Sequence, residues 1–124
     1  MPLSPDFVNE LRKHFSGDIQ NDLASRILYS TDASIYQLEP QGVVIPKTHA
    51  DLQSAVELAA KYKIPVLPRG AGTSLAGQAI GDALILDVSR WLDYIIGIDP
   101  EARTATVEPG VVLSALNATA AKHG

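Results

Sequence analysis

A strand–helix–strand pattern over residues 42–67 is the feature that most constrains the fold of this chain. Gly42–Pro46 and Ile64–Leu67 are short apolar runs of the kind that form strands. Between them, residues 48–51 have the chemistry of a helix capping box, and the apolar residues that follow recur at helical spacing until about Lys63. Such a βαβ unit implies parallel strands joined by a right-handed crossover.

The residues before this unit predict mainly helix. Ser4-Pro5-Asp6 has an N-cap residue, a proline at the first helical position and an acid in the first turn. A weaker pattern predicts a short helix within Asp18–Ser30, and the polar run Thr31–Ser34 predicts a surface loop. We therefore interpret residues 1–37 as an N-terminal helical segment.

The residues after the unit predict a strand, a hairpin and a helix. The unalternating apolar run Ala83–Val88 suits a strand that is covered on both faces. Tyr94–Ile98 and Thr104–Val107 are predicted to form a hairpin. A final helix is predicted over Val111–Lys122. The sequence thus predicts an α+β fold in which a small parallel βαβ sheet flanked by helices is followed by a β-hairpin and a helix.

Composition excludes several classes of function. The 124 residues carry a formal charge of −4 without any basic cluster, which argues against a nucleic-acid partner. The chain has no cysteine, so it has no disulfide, thiolate metal site or cysteine nucleophile, and its three histidines lie in no ligand spacing. It contains no apolar run of membrane-spanning length, and its first residues do not resemble a secretion signal. We expect a soluble, cytoplasmic protein, although these observations also allow peripheral association of a longer protein with an inner membrane.

The glycine-rich segment Arg69–Gln78 is the main candidate for a binding site. Its three glycines permit tight turns and positive φ, and they let a ligand approach backbone N–H groups directly. Thr73 and Ser74 add hydroxyl donors. Hydrogen bonds to a charged acceptor contribute roughly 1.5–3 kcal/mol each, so several of them hold a pyrophosphate without a lysine. An ordinary surface loop is the alternative interpretation.

Three known nucleotide or catalytic loops do not fit this segment. Gly72 and Gly77 have the interval of a P-loop, but Gln78-Ala79 stands where Lys-Ser/Thr is required. The third glycine is two residues late for the dinucleotide-binding fingerprint. Ser74 does not lie in the Gly-x-Ser-x-Gly of a nucleophile elbow. A Rossmann NAD site, a nucleotide hydrolase and an α/β-hydrolase are therefore disfavoured.

The segment Pro65-Val-Leu-Pro-Arg-Gly-Ala-Gly-Thr-Ser-Leu-Ala-Gly-Gln78 resembles the pyrophosphate loop of the vanillyl-alcohol-oxidase/p-cresol-methylhydroxylase type FAD domain. Within that family it is most similar to the group of D-lactate dehydrogenases, glycolate oxidase subunits and D-2-hydroxyglutarate dehydrogenases. Other segments that resemble this group follow in the family's order: Tyr29–Tyr36, Val43–Pro46, the helix at Asp51, Leu86–Arg90, Ile98–Pro100 and Val107–Val111. The resemblance implies that residues 38–124 form the N-terminal half of an FAD-binding domain, the first of its two subdomains.

The resemblance also implies the residues that contact FAD. Backbone N–H groups of residues 70–74 would wrap the pyrophosphate, residues 77–79 would continue toward the flavin, and residues 109–110 would form a second contacting turn. The implied cofactor-binding residues are Arg69, Gly70, Ala71, Gly72, Thr73, Ser74, Gly77, Gln78, Ala79, Pro109 and Gly110. Arg69 would brace the loop, with a solvated or merely structural arginine as the alternative. Relatives with covalent flavin carry a histidine where Thr73 stands, so the resemblance implies non-covalent FAD.

Nearby polar residues have packing interpretations that we favour over catalytic ones. Asp32 and Tyr36 are interpreted as packing residues, and Asp87 and Ser89 as residues of a strand end. The sequence offers no catalytic and no metal-binding residue.

The function that the resemblance implies is oxidation of a D-2-hydroxy acid by a flavoprotein, with electrons passed to an acceptor. Because the family's second FAD subdomain and substrate cap have no counterpart here, we expect an N-terminal fragment that is inactive alone and that either purifies without FAD or binds it only weakly. We also expect self-association through exposed strands, burying part of Ile95, Ile96, Ile98 and Val107. Two alternatives stay open: a stand-alone, non-catalytic module that binds a nucleotide or a partner, and an FAD-dependent alcohol or sugar oxidase.

Overall fold

A computed structural model describes all residues from Met1 to Gly124. The helices are α1 (Pro5–Arg12), α2 (Leu23–Leu28), α3 (His49–Lys61) and α4 (Leu113–Ala120), and a 3-10 turn follows at Ala121–His123. The strands are β1 (Asp18–Gln20), β2 (Gly42–Ile45), β3 (Val66–Arg69), β4 (Leu84–Asp87), β5 (Ile95–Asp99) and β6 (Thr104–Val107). None of the helices has the length and apolar character needed to cross a membrane.

The main sheet has the strand order β1-β2-β4-β3. Strands β2 and β3 both run parallel to β4, and β1 is antiparallel to β2. The predicted parallel βαβ unit is therefore confirmed, but β4 lies between its two strands. All residues of β2 and β4 are buried, as the unalternating apolar runs predict for strands covered on both faces.

Alternation along the central strands divides the core into two clusters. Val44, Leu84 and Leu86 face α1 and α3 and form the larger cluster with Phe7 and Leu11. The alternate residues of the same strands point to the other face and form the smaller cluster, which consists of Val43, Ile45 and Ile85. Tyr29 and Leu67 pack against this cluster. Helices α1 and α3 thus cover one face of the sheet, and Tyr29, at the end of α2, lies on the other.

The local signals at helix and turn ends are confirmed. The Ser4 side chain accepts a hydrogen bond from the backbone N–H of Phe7, and Thr48 and Asp51 form a reciprocal capping box. Strands β5 and β6 form the predicted hairpin, in which the Asp99 carboxylate accepts hydrogen bonds from the N–H groups of residues 101 and 102. Each of these caps and turns is formed by residues that are only a few positions apart in the sequence.

The short helix predicted within Asp18–Ser30 is confirmed as α2, but the first three residues of this stretch are not helical. They form β1, which pairs with β2, and the helical part begins only after Asp22, whose side chain caps α2. Gly17 permits this pairing, because a Cβ there would lie 2.0 Å from the carbonyl oxygen of Ile45. Two other bounds differ by a few residues: β3 begins at Val66 rather than Ile64, and α4 begins at Leu113 rather than Val111.

Asp51 joins the loop after α1 to the start of α3. The residue is only 3% exposed. It accepts hydrogen bonds from the N–H and hydroxyl of Ser16, at 2.8 and 2.7 Å, and from the N–H groups of Lys47 and Thr48. Burial acts to raise the pKa of Asp51, but these hydrogen bonds outweigh it and hold the pKa below its usual value.

We predict that Asp51→Asn destabilises the protein by about 2 kcal/mol at neutral pH, because an amide nitrogen cannot accept the bonds that the carboxylate oxygen receives. Since the folded-state pKa is lowered, the carboxylate stabilises the fold above about pH 4 and this contribution is lost as the pH falls further. Urea unfolding at pH 7 and pH 3 measures both effects, and the difference between wild type and variant should shrink at pH 3. The exposed Asp93→Asn is the control, and equal stability of the two variants at pH 7 would contradict the role of Asp51.

Candidate FAD pyrophosphate site

The glycine-rich loop, residues 70–78, leaves the carboxyl end of β3 and returns to the sheet before β4. The segment that follows β4, residues 88–92, begins at the same edge, because β3 and β4 are parallel neighbours. The turn at Pro109–Gly110 packs against this segment, with the N–H of Gly110 donating to the carbonyl of Leu92 at 2.7 Å. The fold therefore brings both predicted cofactor-contacting segments to one edge of the sheet, where ligands of open parallel sheets bind.

The backbone of the glycine-rich loop has free donors. None of the N–H groups of residues 70–78 donates a hydrogen bond within the chain. Gly72 and Gly77 have positive φ values of 70° and 83°, as expected for a loop that turns its amides toward a ligand. Gly70 does not have positive φ, and a Cβ there would meet nothing within 4 Å. This donor set fits a pyrophosphate, which offers acceptor oxygens only.

Arg69 supports the loop from inside. One guanidinium nitrogen, Nη1, donates to the carbonyls of Tyr29 at 3.3 Å and Ala79 at 3.2 Å, so it joins the loop's far end to the preceding segment. The guanidinium also lies over the Tyr29 ring, 5.1 Å from its centroid. A Cβ at Gly72 would lie 2.4 Å from Nη2 of Arg69. Arg69 therefore braces the glycine-rich loop and is not a freely solvated side chain.

The segment Tyr29–Tyr36 holds the other side of the loop. The N–H of Ala33 donates to the carbonyl of Gly72 at 3.1 Å, and the N–H of Ala79 donates to the Asp32 carboxylate at 3.4 Å. Hydrogen bonding by Ser34 is the main reason that the pKa of Asp32 lies below its usual value, with smaller contributions from Ala79 and Arg69. Asp32 is therefore a packing residue of the loop, as the sequence analysis favoured.

Asp87 joins this segment to the end of β4. The residue is 7% exposed. It accepts a hydrogen bond from the Tyr29 hydroxyl at 2.5 Å and bonds from the N–H and hydroxyl of Ser89 at 2.9 and 2.6 Å. Burial, followed by the hydrogen bond to Asp87 and its negative charge, raises the pKa of Tyr29 to about 12. Sequence reasoning identified Asp87 and Ser89 as strand-end residues but missed Tyr29 as their partner, because 58 residues separate Tyr29 from Asp87.

The remaining predicted contact residues have simpler surroundings. Ser74 donates a hydrogen bond to the Gln78 side chain within the loop, and Ala79 is buried. A Cβ at Gly110 would lie 2.1 Å from the carbonyl oxygen of Val88 and 2.6 Å from that of Leu92. The glycine at position 110 is therefore explained by close backbone packing within this chain. Contact of Pro109 and Gly110 with a flavin stays a prediction.

Comparison with known proteins agrees with this geometry. Residues 40–124 match the FAD binding domain family, and the chain belongs to that family. D-2-hydroxyglutarate dehydrogenase of Escherichia coli is 42% identical over 116 residues, which cover 90% of this chain and 11% of that protein. Glycolate oxidase subunit GlcD of Bacillus subtilis is 34% identical over 93 residues, which cover 72% of this chain and 19% of that protein. The chain therefore spans a small part of the length of these relatives.

Solved structures share the fold. An alkyldihydroxyacetonephosphate synthase superposes with a TM-score of 0.83 at 24% identity, over 99% of this chain and 26% of that one. p-Cresol methylhydroxylase superposes with a TM-score of 0.69 at 21% identity, over 98% of this chain and 26% of that one. These structures confirm the expected vanillyl-alcohol-oxidase/p-cresol-methylhydroxylase type FAD-binding fold, and the match to the FAD binding domain family supports FAD as the cofactor.

We predict that Tyr29→Phe destabilises the protein by about 1–2 kcal/mol, because it keeps the ring under Arg69 but removes the hydroxyl that bonds to Asp87. The folded-state pKa of Tyr29 is raised to about 12, so the contribution of the protonated phenol is present below about pH 10 and lost as the pH rises toward 12.

Unfolding by urea at pH 8 and pH 11 tests this prediction. The difference between wild type and Tyr29→Phe should be smaller at pH 11 than at pH 8. Tyr36→Phe is the matched control, since the Tyr36 side chain is exposed. Identical stability of wild type and Tyr29→Phe at pH 8 would show that the bond to Asp87 contributes nothing.

Proposed function

We propose that the glycine-rich loop binds the pyrophosphate of FAD, without a covalent bond, in a flavoprotein that oxidises a D-2-hydroxy acid. The observation that carries the proposal is the run of unbonded N–H donors over residues 70–78, held in place from inside by Arg69. The identity to proteins named D-2-hydroxyglutarate dehydrogenase supports the substrate class. A small-molecule 2-hydroxy acid and an electron acceptor are the partners that this function requires.

In this proposal the protein positions the cofactor, and the bound FAD supplies the redox chemistry. The N–H groups of residues 70–74 donate to the phosphate oxygens, and the Thr73 and Ser74 hydroxyls add donors. The Arg69 guanidinium lies behind the loop and donates hydrogen bonds to backbone carbonyls of the chain. Thr73 has no imidazole to bond to a flavin, which supports non-covalent binding.

We predict that Gly72→Val weakens FAD binding at least tenfold while the chain stays folded. Position 72 has positive φ, which costs a residue with a Cβ about 1–2 kcal/mol, and the new side chain would also displace Arg69. Thr73→Ala keeps the backbone donor and should lose about 1 kcal/mol, or roughly fivefold in affinity.

Titration of the ¹⁵N-labelled chain with FAD measures these affinities through the amide shifts of residues 70–78, and it remains informative when binding is weak. Riboflavin, which lacks phosphate, should leave the amides of residues 70–74 unshifted. Gly97→Val is the matched control, because a Cβ at this hairpin glycine meets nothing within 4 Å. Tight binding by Gly72→Val together with loss of binding by Thr73→Ala would mean that hydroxyls, not the backbone, hold the phosphate.

We also propose that the chain associates with itself through the hairpin. Strands β5 and β6 pair only with each other, so each has an unpaired outer edge, and Ile96 is 52% exposed. Such edges favour pairing with another copy of the same strand. We expect a dimer that buries part of Ile95, Ile96, Ile98 and Val107.

Sedimentation velocity over a range of concentrations tests this association. Ile96→Lys should shift the equilibrium toward monomer, because it places a charge on the unpaired hairpin. Leu28→Lys changes an apolar residue away from the hairpin that is 73% exposed, and it should leave association unchanged. A wild-type chain that stays monomeric at high concentration would contradict the proposal.

A further inference from the structure

The C-terminal unit, residues 93–124, has no buried residue of its own. It consists of the β5–β6 hairpin, α4 and the final turn. A two-stranded hairpin has little stability alone, so its position depends on its links to the main sheet. One such link is the backbone bond from Gly110 to Leu92.

Glu108 provides the other link. Its side chain is 12% exposed although it lies in a largely exposed unit. One carboxylate oxygen accepts a hydrogen bond from the N–H of Tyr94 at 3.0 Å, which closes the base of the hairpin. The other lies 2.6 Å from Nε2 of His49. This is the one side-chain hydrogen bond between residues 1–92 and the C-terminal unit.

His49 is fixed to the main sheet. It is the first residue of α3, directly after the capping residue Thr48, and the buried Asp51 anchors that helix start to the loop after α1. The imidazole itself is 70% exposed, so nothing else in the chain packs it tightly. Its contact with Glu108 therefore acts between a rigid helix start and a unit without a core.

Glu108 directly precedes the Pro109–Gly110 turn. Gly110 lies against the carbonyls of Val88 and Leu92, at the sheet edge where the glycine-rich loop also begins. We propose that His49 and Glu108 are positioning residues that hold the Pro109–Gly110 turn at this edge, so that both cofactor-contacting segments reach one FAD molecule. The contact of both segments with one FAD molecule rests on the proposed function. The placement of the turn by His49 and Glu108 does not depend on it.

Amide hydrogen exchange tests the placement without any cofactor. His49→Ala should speed exchange at the N–H groups of Tyr94 and Gly110 by about threefold or more, as expected for loss of a partly buried charged hydrogen bond. Exchange within β4 should not change. His49→Gln, which keeps a donor at similar reach, should restore the wild-type rates. The exposed His14→Ala is the matched control.

Titration with FAD then tests the consequence for binding. In His49→Ala, the FAD-induced shifts of Gly72 and Thr73 should persist while that of Gly110 is lost, and His49→Gln should recover it. A merely structural effect would reduce all three shifts together and would overturn the positioning role. Unchanged exchange at Tyr94 and Gly110 in His49→Ala would overturn the inference as well. Absence of every FAD-induced shift in the wild type would instead refute the proposed function, and the exchange rates would still decide whether the pair places the turn.

Discussion

The position of β4 between β2 and β3 is the constraint on which the rest of the structure depends. All four of its residues are buried, and it pairs in parallel with a neighbour on each side. This pairing brings the carboxyl ends of β3 and β4 to one edge. The glycine-rich loop and the segment that receives Gly110 both begin there, so the candidate site follows directly from the strand order.

The charged side chains near this site, Arg69 and Asp87, form their hydrogen bonds within the protein. Arg69 bonds to two carbonyls and stacks on Tyr29, and Asp87 receives bonds from Tyr29 and Ser89. With these charges paired inside, the loop offers neutral backbone donors to an anionic cofactor. The proposed phosphate site therefore needs no lysine in the loop, although the chain has a net charge of −4.

Local features of this fold could be predicted from the sequence, and long-range ones could not. The caps at Ser4 and Thr48 and the turn at Asp99 depend on residues a few positions apart, and all of them are confirmed. The three-residue strand β1 is too short to show a period, and apolar runs do not reveal which strand lies between two others.

The candidate site shows the same division. The glycine-rich loop and its positive φ values were predictable from composition and spacing. The contact of Tyr29 with Asp87 and that of His49 with Glu108 join residues 58 and 59 positions apart, and no local pattern marks them. Contact of Gly110 with the cofactor stays a prediction, and the tight surroundings of this glycine in the structure are backbone atoms of this chain.

The contact between Gly72 and Arg69 has a consequence for how such a loop evolves. Because the guanidinium occupies the space beside Gly72, a side chain at position 72 either displaces Arg69 from its place or requires a smaller residue at position 69. The left-handed backbone at position 72 would still favour asparagine or aspartate over other replacements. The two sites are therefore epistatic: either route to a side chain at position 72 sacrifices the brace that Arg69 forms between Tyr29 and Ala79.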